Sequence, residues 1–344
     1  PVTGKTMLEL QRERLGLDEP VIEQFRLYLT NLAEGDWGES TTYNRPTSDV
    51  VRDAAPVTLE MALFALLMAY PIGITLGILS AVWQDQVFDH ISRFLAIAFV
   101  SLPIFWLAMM LQLVFGTGPD VGGICDPIFG TEGGCFPIYG RHDAALTYPD
   151  RSSSLCDTAI TGIACYPSWY PSGGTGFHLV DSWFVTDEAL DNINPEYASN
   201  YKLFDDTLVH LILPSFTLGI ASAGSLLRYM RASLLEVMNE DYVRTARAKG
   251  LSESRVIIVH ACRNALVPIL TILGFSIGGA IGGAVLTESI FAFYGMGNVA
   301  VDAIINLDYS VLMGVTLITA IIFLMSNLIV DILYGVVDPR VRLE

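Results

Sequence analysis

Residues 57–83 read VTLEMALFALLMAYPIGITLGILSAVW, an apolar run of 27 residues that contains one charged side chain, Glu60. A helix needs about 20 apolar residues to cross a bilayer. A helix on the surface of a soluble protein would also show a polar face, and this run has none. The run therefore predicts a helix that spans a membrane.

Four more apolar runs follow, at residues 91–116, 208–229, 266–290 and 311–337. Hydrophobic residues make up 52% of the 344-residue chain and charged residues 16%, whereas a soluble domain carries about 25% charged residues. Together the five runs predict an all-α polytopic membrane protein surrounded by a lipid bilayer.

The distribution of charge predicts how the chain crosses the membrane. The stretch from residue 228, at the end of the third run, to residue 263, just before the fourth, is basic, which places it in the cytoplasm by the positive-inside rule. Its seven basic residues are Arg228, Arg231, Arg244, Arg247, Lys249, Arg255 and Arg263. The net charge of the chain is −17, and residues 117–207, which are rich in aspartate and glutamate, belong outside. The chain then divides into an outer N-terminal segment (1–56), two spans (57–116), an outer insertion resembling a cap (117–207), a membrane core (208–337) with a cytoplasmic loop (231–265), and a cytoplasmic tail (338–344).

Four of the five cysteines fall in the outer insertion, where disulfides persist; they are Cys125, Cys135, Cys156 and Cys165. Four cysteines allow three pairings, and the sequence does not choose among them. A zinc site is the competing interpretation, but the insertion has no CxxC pair and no accompanying HxxxH. We therefore predict two disulfides and no metal in this insertion.

The sequence contains no complete motif for catalysis or nucleotide binding. Gly4-Lys5-Thr6 matches the end of a phosphate-binding loop, but the preceding part of the GxxxxGK[ST] pattern is missing and the segment is predicted to lie outside. The five histidines are scattered, with no HExxH and no neighbouring nucleophile. We expect no catalytic residue, no cofactor and no nucleic-acid partner. Any pore should be lined by uncharged polar groups and by backbone near Pro71, Pro103 and Pro214, where helices can kink.

Two further features concern the spans themselves. Gly274, Gly278 and Gly282 recur every four residues in the fourth run, so one face of that helix should allow close approach of a neighbour within the bundle or across a subunit interface. Glu60 and Glu288 stand near the ends of spans, where their carboxyl groups can reach the membrane interface.

Residues 241–268 read DYVRTARAKGLSESRVIIVHACRNALVP and predict two short helices. The first runs through good helix formers and stops at Gly250. The second begins after Ser252 as N-cap, and Pro268 opens the next span. Two helices joined by a glycine turn make a projecting knob (residues 241–265) that fits a groove in a partner. The alternative is an amphipathic loop held at the lipid headgroups by its arginines.

YVRTARAKGL at 242–251, followed by RNALVP at 263–268, resembles the coupling motif of ABC-importer permeases of the dipeptide, oligopeptide and nickel group. Arg244 and Thr245 occupy two alanine positions of the general importer pattern, as is usual in this group. Further matches lie along most of the chain; they are RLGLDEP at 14–20, GDWGES at 35–40, SLPIFW at 101–106, ESIF at 288–291, GMG at 295–297 and the segment 331–342. The chain departs from the family at Tyr294, where proline is usual, and in the length of its outer insertion.

The resemblance implies the fold of an ABC type I importer permease with six spans, of which the first would be lost before residue 1. It implies a cell (plasma or inner) membrane location and, as partners, a second homologous permease, ABC ATPase subunits and an external solute-binding protein. The substrate would be a di- or oligopeptide or a related small solute. The residues it assigns to ATPase coupling are Tyr242, Arg244, Thr245, Ala246, Arg247, Ala248, Lys249, Gly250 and Leu251. An ion-coupled transporter, a channel and a membrane-embedded enzyme remain as alternatives.

Overall fold

A computed structural model describes residues 19–116, 136–137, 177, 179–180 and 200–337 of the chain. The predicted disulfide cysteines (Cys125, Cys135, Cys156 and Cys165), the Gly4–Thr6 segment and the tail 338–344 lie outside the described residues. The helices are α1 (Val21–Ala33), α2 (Thr47–Val82), α3 (Val87–Ser101), α4 (Ile104–Phe115), α5 (Asn200–Val237), α6 (Asp241–Ala248), α7 (Glu253–Arg255), a π-helical stretch (Val256–Ala261), α8 (Cys262–Ala265), α9 (Val267–Phe291), α10 (Met296–Ile305) and α11 (Tyr309–Val337).

The long helices α2 and α5 form the centre of the bundle, and small residues let them pack closely. A Cβ atom added at Gly219 of α5 would lie 2.6 Å from the backbone oxygen of Ala65 in α2. A Cβ atom added at Gly73 of α2 would lie 2.7 Å from Cβ of Leu226 in α5. Helices in lipid gain little hydrophobic energy by associating, so close backbone approach of this kind is a main source of their packing energy.

The membrane helices differ in how they are built. Three helical segments in the described part of the chain are long and apolar enough to span a bilayer: Thr47–Val82, Phe204–Val237 and Tyr309–Gly335. Three bent helix pairs pass the same test when each pair is taken as one span, so the described residues hold between three and six spans. The all-α membrane fold predicted from the apolar runs is therefore confirmed.

The second apolar run, residues 91–116, does not form one straight helix. It divides into α3 and α4, which meet at an angle of 108°. Leu102 has an extended backbone (ψ 135°), as the residue before a proline prefers, and α4 begins directly after Pro103. Pro71 and Pro214, the other two predicted kink positions, lie inside helices that continue through them. Of the three prolines, Pro103 alone coincides with a break between helices.

Glu60 and Glu288, which lie near span ends where they can reach the membrane interface, are both buried inside the bundle. Glu288 lies at the end of α9 and accepts hydrogen bonds from the Thr58 hydroxyl at 2.5 Å and from the backbone N–H of Asn298 at 3.1 Å. Glu60 accepts a hydrogen bond from the backbone N–H of Leu179 at 2.6 Å. Thr58 lies 230 positions from Glu288, and Leu179 lies 119 positions from Glu60, so hydropathy gave no sign of these two partners.

An outer-segment clasp (residues 38–46) joins the N-terminal segment to the loop before α11. Asp308, which is buried, accepts hydrogen bonds from the Ser40 hydroxyl at 2.6 Å and from the backbone N–H of Thr42 at 3.0 Å. The Tyr43 hydroxyl lies 3.2 Å from Asp302 of α10. Residues 40–43 and residues 302–308 therefore meet at one end of the bundle.

Asp308→Asn is expected to loosen the outer-segment clasp. Burial raises the pKa of Asp308, but hydrogen bonds from Ser40, Thr42 and Val311 outweigh it, so the net pKa is lowered. A lowered pKa stabilises the fold above the ordinary aspartate pKa, and this stabilisation is lost only as pH falls through the lower folded value. A hydrogen bond to a charged group contributes about 1.5–3 kcal/mol. Amide exchange across residues 38–46 should therefore accelerate by about tenfold or more in the variant, since tenfold corresponds to about 1.4 kcal/mol. The ratio of variant to unaltered rates should be the same at pH 7 and at pH 5.

Asp49→Asn serves as the matched control for Asp308→Asn. Asp49 is exposed in the first turn of α2, where a carboxylate interacts favourably with the helix N-terminus by a few tenths of a kcal/mol to about 1 kcal/mol. Exchange in the outer-segment clasp should barely change in this control. If the clasp of the unaltered protein opened between pH 7 and pH 5, the role given to Asp308 would be excluded.

Candidate functional site

The first helix of the knob, α6, has a local sequence that defines both of its ends. Asp241 lies in the first turn and Arg247 in the last, and each charge is favourable at its own end of a helix dipole. The helix ends at Ala248. Gly250 then adopts a left-handed backbone (φ 79°), which glycine tolerates without strain. The predicted glycine stop is thus found where the sequence placed it.

The knob has a small apolar core of its own. Val243 and Ala246 of α6 are buried against Val256, the first residue of the π-helical stretch, and Val237 and Leu251 pack around them. Val243 and Val256 are completely buried. This core holds the two limbs of the knob together as one packed unit, which the alternative of a loop lying along the headgroups does not require.

The second limb runs from Glu253 to Ala265 and contains the π-helical stretch. Ser252 occupies the predicted N-cap position, but its hydroxyl makes no capping hydrogen bond. The Tyr242 hydroxyl of α6 accepts a hydrogen bond from the Asn264 side-chain amide at 2.6 Å. This hydrogen bond joins the second limb to the first near the base of the knob.

The knob is also fixed to the membrane helices. Ser233 of α5 donates a hydrogen bond to the backbone oxygen of Ala265 at 3.0 Å. One apolar cluster contains residues from the knob together with residues from the ends of α2 and α5 and from the start of α9. Its buried members are Ala81, Leu226, Met230, Leu234, Ile257, Ala261, Cys262, Ala265 and Ile269. A force on the knob therefore acts directly on α5 and on the end of α2.

The exposed surface of α6 carries positive charge around a tip of small residues. Arg244, Thr245, Ala248 and Lys249 are exposed, together with Gly250. Arg247 is half-buried, and its Nε lies 3.0 Å from Oε1 of Glu253 in the second limb. An exposed ion pair of this kind contributes about 0–1 kcal/mol to stability. Arg244 makes a similarly exposed contact, with Nη1 3.5 Å from Oδ1 of Asp241 on its own helix. The exposed cationic groups of Arg244 and Lys249 suit an acidic groove in a partner.

The three glycines predicted to favour helix packing divide into two kinds of site. A Cβ atom added at Gly274 of α9 would lie 2.5 Å from the side-chain oxygen of Asn327 in α11. A Cβ atom added at Gly278 would collide with the ring of Phe323 in the same helix. A Cβ atom added at Gly282 would meet nothing within 4 Å. The same helix therefore packs against α11 along one part and has an open position further along.

An ion pair that the sequence did not indicate lies on the same side of the bundle as the knob. Asp89, in the first turn of α3, accepts two hydrogen bonds from the Arg231 guanidinium of α5, each 2.7 Å long. The two residues are 142 positions apart. The basic loop suggested a cytoplasmic location for Arg231, but no local pattern could indicate its partner.

Comparison with known proteins agrees with this architecture. The family described as binding-protein-dependent transport system inner membrane component matches residues 73–343. The probable D,D-dipeptide transport system permease protein DdpB of Escherichia coli (strain K12) is 36% identical over 335 residues, which cover 97% of this chain and 84% of that protein.

Two further relatives extend the similarity. The di/tripeptide transport system permease protein DppB of Pseudomonas aeruginosa (strain UCBPP-PA14) is 36% identical over 96% of this chain and 83% of its own length. The glutathione transport system permease protein GsiC of Escherichia coli (strain K12) is 30% identical over 99% of this chain and 86% of its own length. Together with the apolar helix bundle, these matches show that the chain belongs to the family of inner membrane components of binding-protein-dependent transport systems.

Proposed function

We propose that this chain is the non-catalytic permease subunit of an ATP-driven importer and that its knob docks on a separate ATPase subunit. The observation that carries the proposal is the knob itself, which has its own core, a cationic exposed face and a firm attachment to α5. A rigid projection of this kind transmits movement between a soluble subunit and a membrane helix, whereas a flexible loop would absorb it.

The proposed substrate is a di- or oligopeptide or a related small solute, supplied by an external solute-binding protein. Support comes from the relatives, whose names state transport of D,D-dipeptides, di/tripeptides and glutathione. We further propose a second homologous permease as partner, so that the path for the substrate lies between two bundles. The open position at Gly282 of α9 is a suitable place for contact with that second bundle.

The proposed mechanism is alternating access. ATP binding would bring two ATPase subunits together, the knob would follow the subunit on which it docks, and α5 would carry that movement into the bundle. Nothing in this mechanism requires a catalytic group on the permease, because the chemistry belongs to the ATPase. The permease would have two discrete arrangements of its helices, and ATP binding would shift the equilibrium between them.

The double variant Arg244→Glu, Lys249→Glu is expected to release the ATPase subunit. Both residues are exposed, and the ion pair that Arg244 makes within the described residues is an exposed contact with Asp241 on the same helix. Reversing their charge therefore leaves the core of the knob intact while replacing attraction to an acidic groove by repulsion. We expect at least about a tenfold loss of the ATPase that co-purifies with the tagged permease, since tenfold corresponds to about 1.4 kcal/mol of binding energy. ATP-dependent uptake of a labelled dipeptide into proteoliposomes should fall in parallel.

Arg52→Glu is the matched control for this double variant, because Arg52 is an exposed arginine on the predicted outer side of the protein. It should leave ATPase binding unchanged. Arg247 is kept unaltered because its reversal would also disturb its contact with Glu253. Full retention of the ATPase by the double variant would exclude the docking assignment, and uptake without any ATPase would favour the ion-coupled transporter or the channel.

A further inference from the structure

Asp89 is the centre of a buried polar cluster outside the knob. Its side chain is completely buried, with 0% exposure. Besides the Arg231 guanidinium, it accepts hydrogen bonds from the Ser80 hydroxyl of α2 at 2.6 Å and from the backbone N–H of Asp85 at 3.0 Å. Nε of Arg93 lies 3.8 Å away, on the next turn of α3. One carboxylate thus joins the end of α2, the α2–α3 turn, α3 and α5.

The position of Arg231 links this cluster to the knob. Arg231 lies within the last two turns of α5, which ends at Val237 just before the knob begins. Ser233, two residues further on, holds the second limb of the knob through the backbone oxygen of Ala265. The same short piece of α5 is therefore bonded to the knob on one side and to α3 on the other.

The far end of α3 meets α4 at a sharp bend. The two helices meet at 108° across Leu102 and Pro103, and proline removes the backbone donor that would continue the helix. Between its two ends α3 lies against α5, where a Cβ atom added at Gly224 would stand 2.9 Å from the backbone oxygen of Ala96. At 15 residues, α3 is about 22 Å long. The helix is therefore held by the Asp89 cluster at its first turn, and the chain bends sharply after its last residue.

We propose that Asp89 is a positioning residue that couples α3 to the knob, so that α3 moves with α5 when the knob moves. This inference rests on the proposed function of the knob. Apolar side chains allow one helix to slide along another, whereas a bidentate arginine–carboxylate pair fixes both distance and direction. Separating such a buried pair would leave an uncompensated charge, which is strongly destabilising, so the cluster holds through a movement that apolar contacts would not resist.

The test measures movement of the knob and of α3 separately. Spin labels are placed on the knob at Ser254 and on α3 at Phe94, each paired with a label at Leu324 of α11; all three positions are exposed. The labels are attached to non-natural residues, so the native cysteines stay unmodified. Distances are measured in the assembled complex with its ATPase, in lipid nanodiscs, with and without ATP plus vanadate.

In the unaltered complex, both distances should change when ATP and vanadate are added. In Asp89→Asn the knob distance should change as before, while the change at Phe94 should fall to half or less. Arg231→Lys, which keeps the charge but loses the bidentate geometry, should give an intermediate change at Phe94. It also provides a second measurement if the Asp89 variant does not assemble.

Three results would count against the inference. A change at Phe94 that is as large in Asp89→Asn and Arg231→Lys as in the unaltered complex would overturn it, because coupling would then not need the pair. Movement of the knob without movement of α3 in the unaltered complex would overturn it while leaving the proposed function intact. A knob that does not respond to ATP in the unaltered complex would overturn the proposed function and, with it, this inference.

Discussion

Gly219→Val is expected to prevent the two central helices from packing and to reduce strongly the amount of folded protein. The first side-chain carbon would lie 2.6 Å from the backbone oxygen of Ala65 and 3.4 Å from Cβ of Ala69. Neither backbone can yield without moving a whole helix, so α2 and α5 would separate and their shared core would loosen. Overpacking costs about 1–3 kcal/mol or more, and the melting temperature in detergent should fall by about 5 °C or more.

Gly282→Val is the control for Gly219→Val, since it makes the same change in another apolar helix where a Cβ atom meets nothing within 4 Å. The isolated permease should melt within about 1 °C of the unaltered protein, as is usual for changes outside the packed core. A loss of complex assembly in this control alone would favour the proposed contact with a second permease at Gly282. Equal melting temperatures for the two variants would show that close approach at Gly219 does not stabilise the bundle.

The parts of this fold that the sequence predicted are those determined locally. The interiors of α2, α5 and α11 follow from apolar runs long enough to span a bilayer. The knob follows from helix formers, a glycine stop and a proline that opens the next span. Each signal lies within the element it predicts, so no knowledge of the remaining fold was needed.

The angle between α3 and α4 could not be predicted in the same way. Pro103 indicates that a helix can bend or end, but the sequence does not state by how much. The angle of 108° lies between helices that pack against distant parts of the chain, α3 against α5 and α4 against α5 and α9. A hydropathy profile shows residues 91–116 as one run because it measures how apolar the side chains are and contains no information on bends in the backbone.

The polar clusters escaped prediction because their partners are far apart in sequence. Asp89 and Arg231 are separated by 142 residues, and Thr58 and Glu288 by 230. A single charged residue near the end of an apolar run looks like one that reaches the membrane interface. The fold supplies the hydrogen-bond partners that make burial of these charged side chains favourable. Those partners are identified only when α2, α3, α5 and α9 are seen packed together.

Glu288→Leu is expected to detach α10 from the bundle. The Glu288 carboxyl group accepts hydrogen bonds from the Thr58 hydroxyl and from the backbone N–H of Asn298, in the first turn of α10. The Thr58 oxygen in turn accepts a hydrogen bond from the backbone N–H of Met296 at 2.8 Å. Gly295 and Gly297 let the backbone come this close, because a Cβ atom at either position would collide with the carboxyl oxygens.

Leucine has nearly the volume of glutamate but accepts no hydrogen bond, so the hydroxyl of Thr58 and the N–H of Asn298 would lose their acceptor. Each buried donor left without a partner costs about 1–3 kcal/mol, which gives about 2–6 kcal/mol for the two. We expect rapid amide exchange across Met296–Ile305, a melting temperature lower by several degrees, and a marked loss of uptake of a labelled dipeptide by the assembled complex. These are measured on the purified permease and on the complex in proteoliposomes.

Glu288→Gln separates the loss of hydrogen bonds from the change of side-chain shape. Glutamine keeps one oxygen acceptor in the same place, and the Thr58 hydroxyl can rotate to accept from the new amide, so exchange in α10 should lie between that of the unaltered protein and that of Glu288→Leu. Ser289, the next residue along the chain, is exposed, and Ser289→Ala removes its hydrogen bond to the Asn298 side chain without touching the buried pair. If Ser289→Ala loosened α10 as much as Glu288→Leu did, the attachment of α10 would depend on Asn298 at the surface, and the buried carboxyl group would not be what holds it.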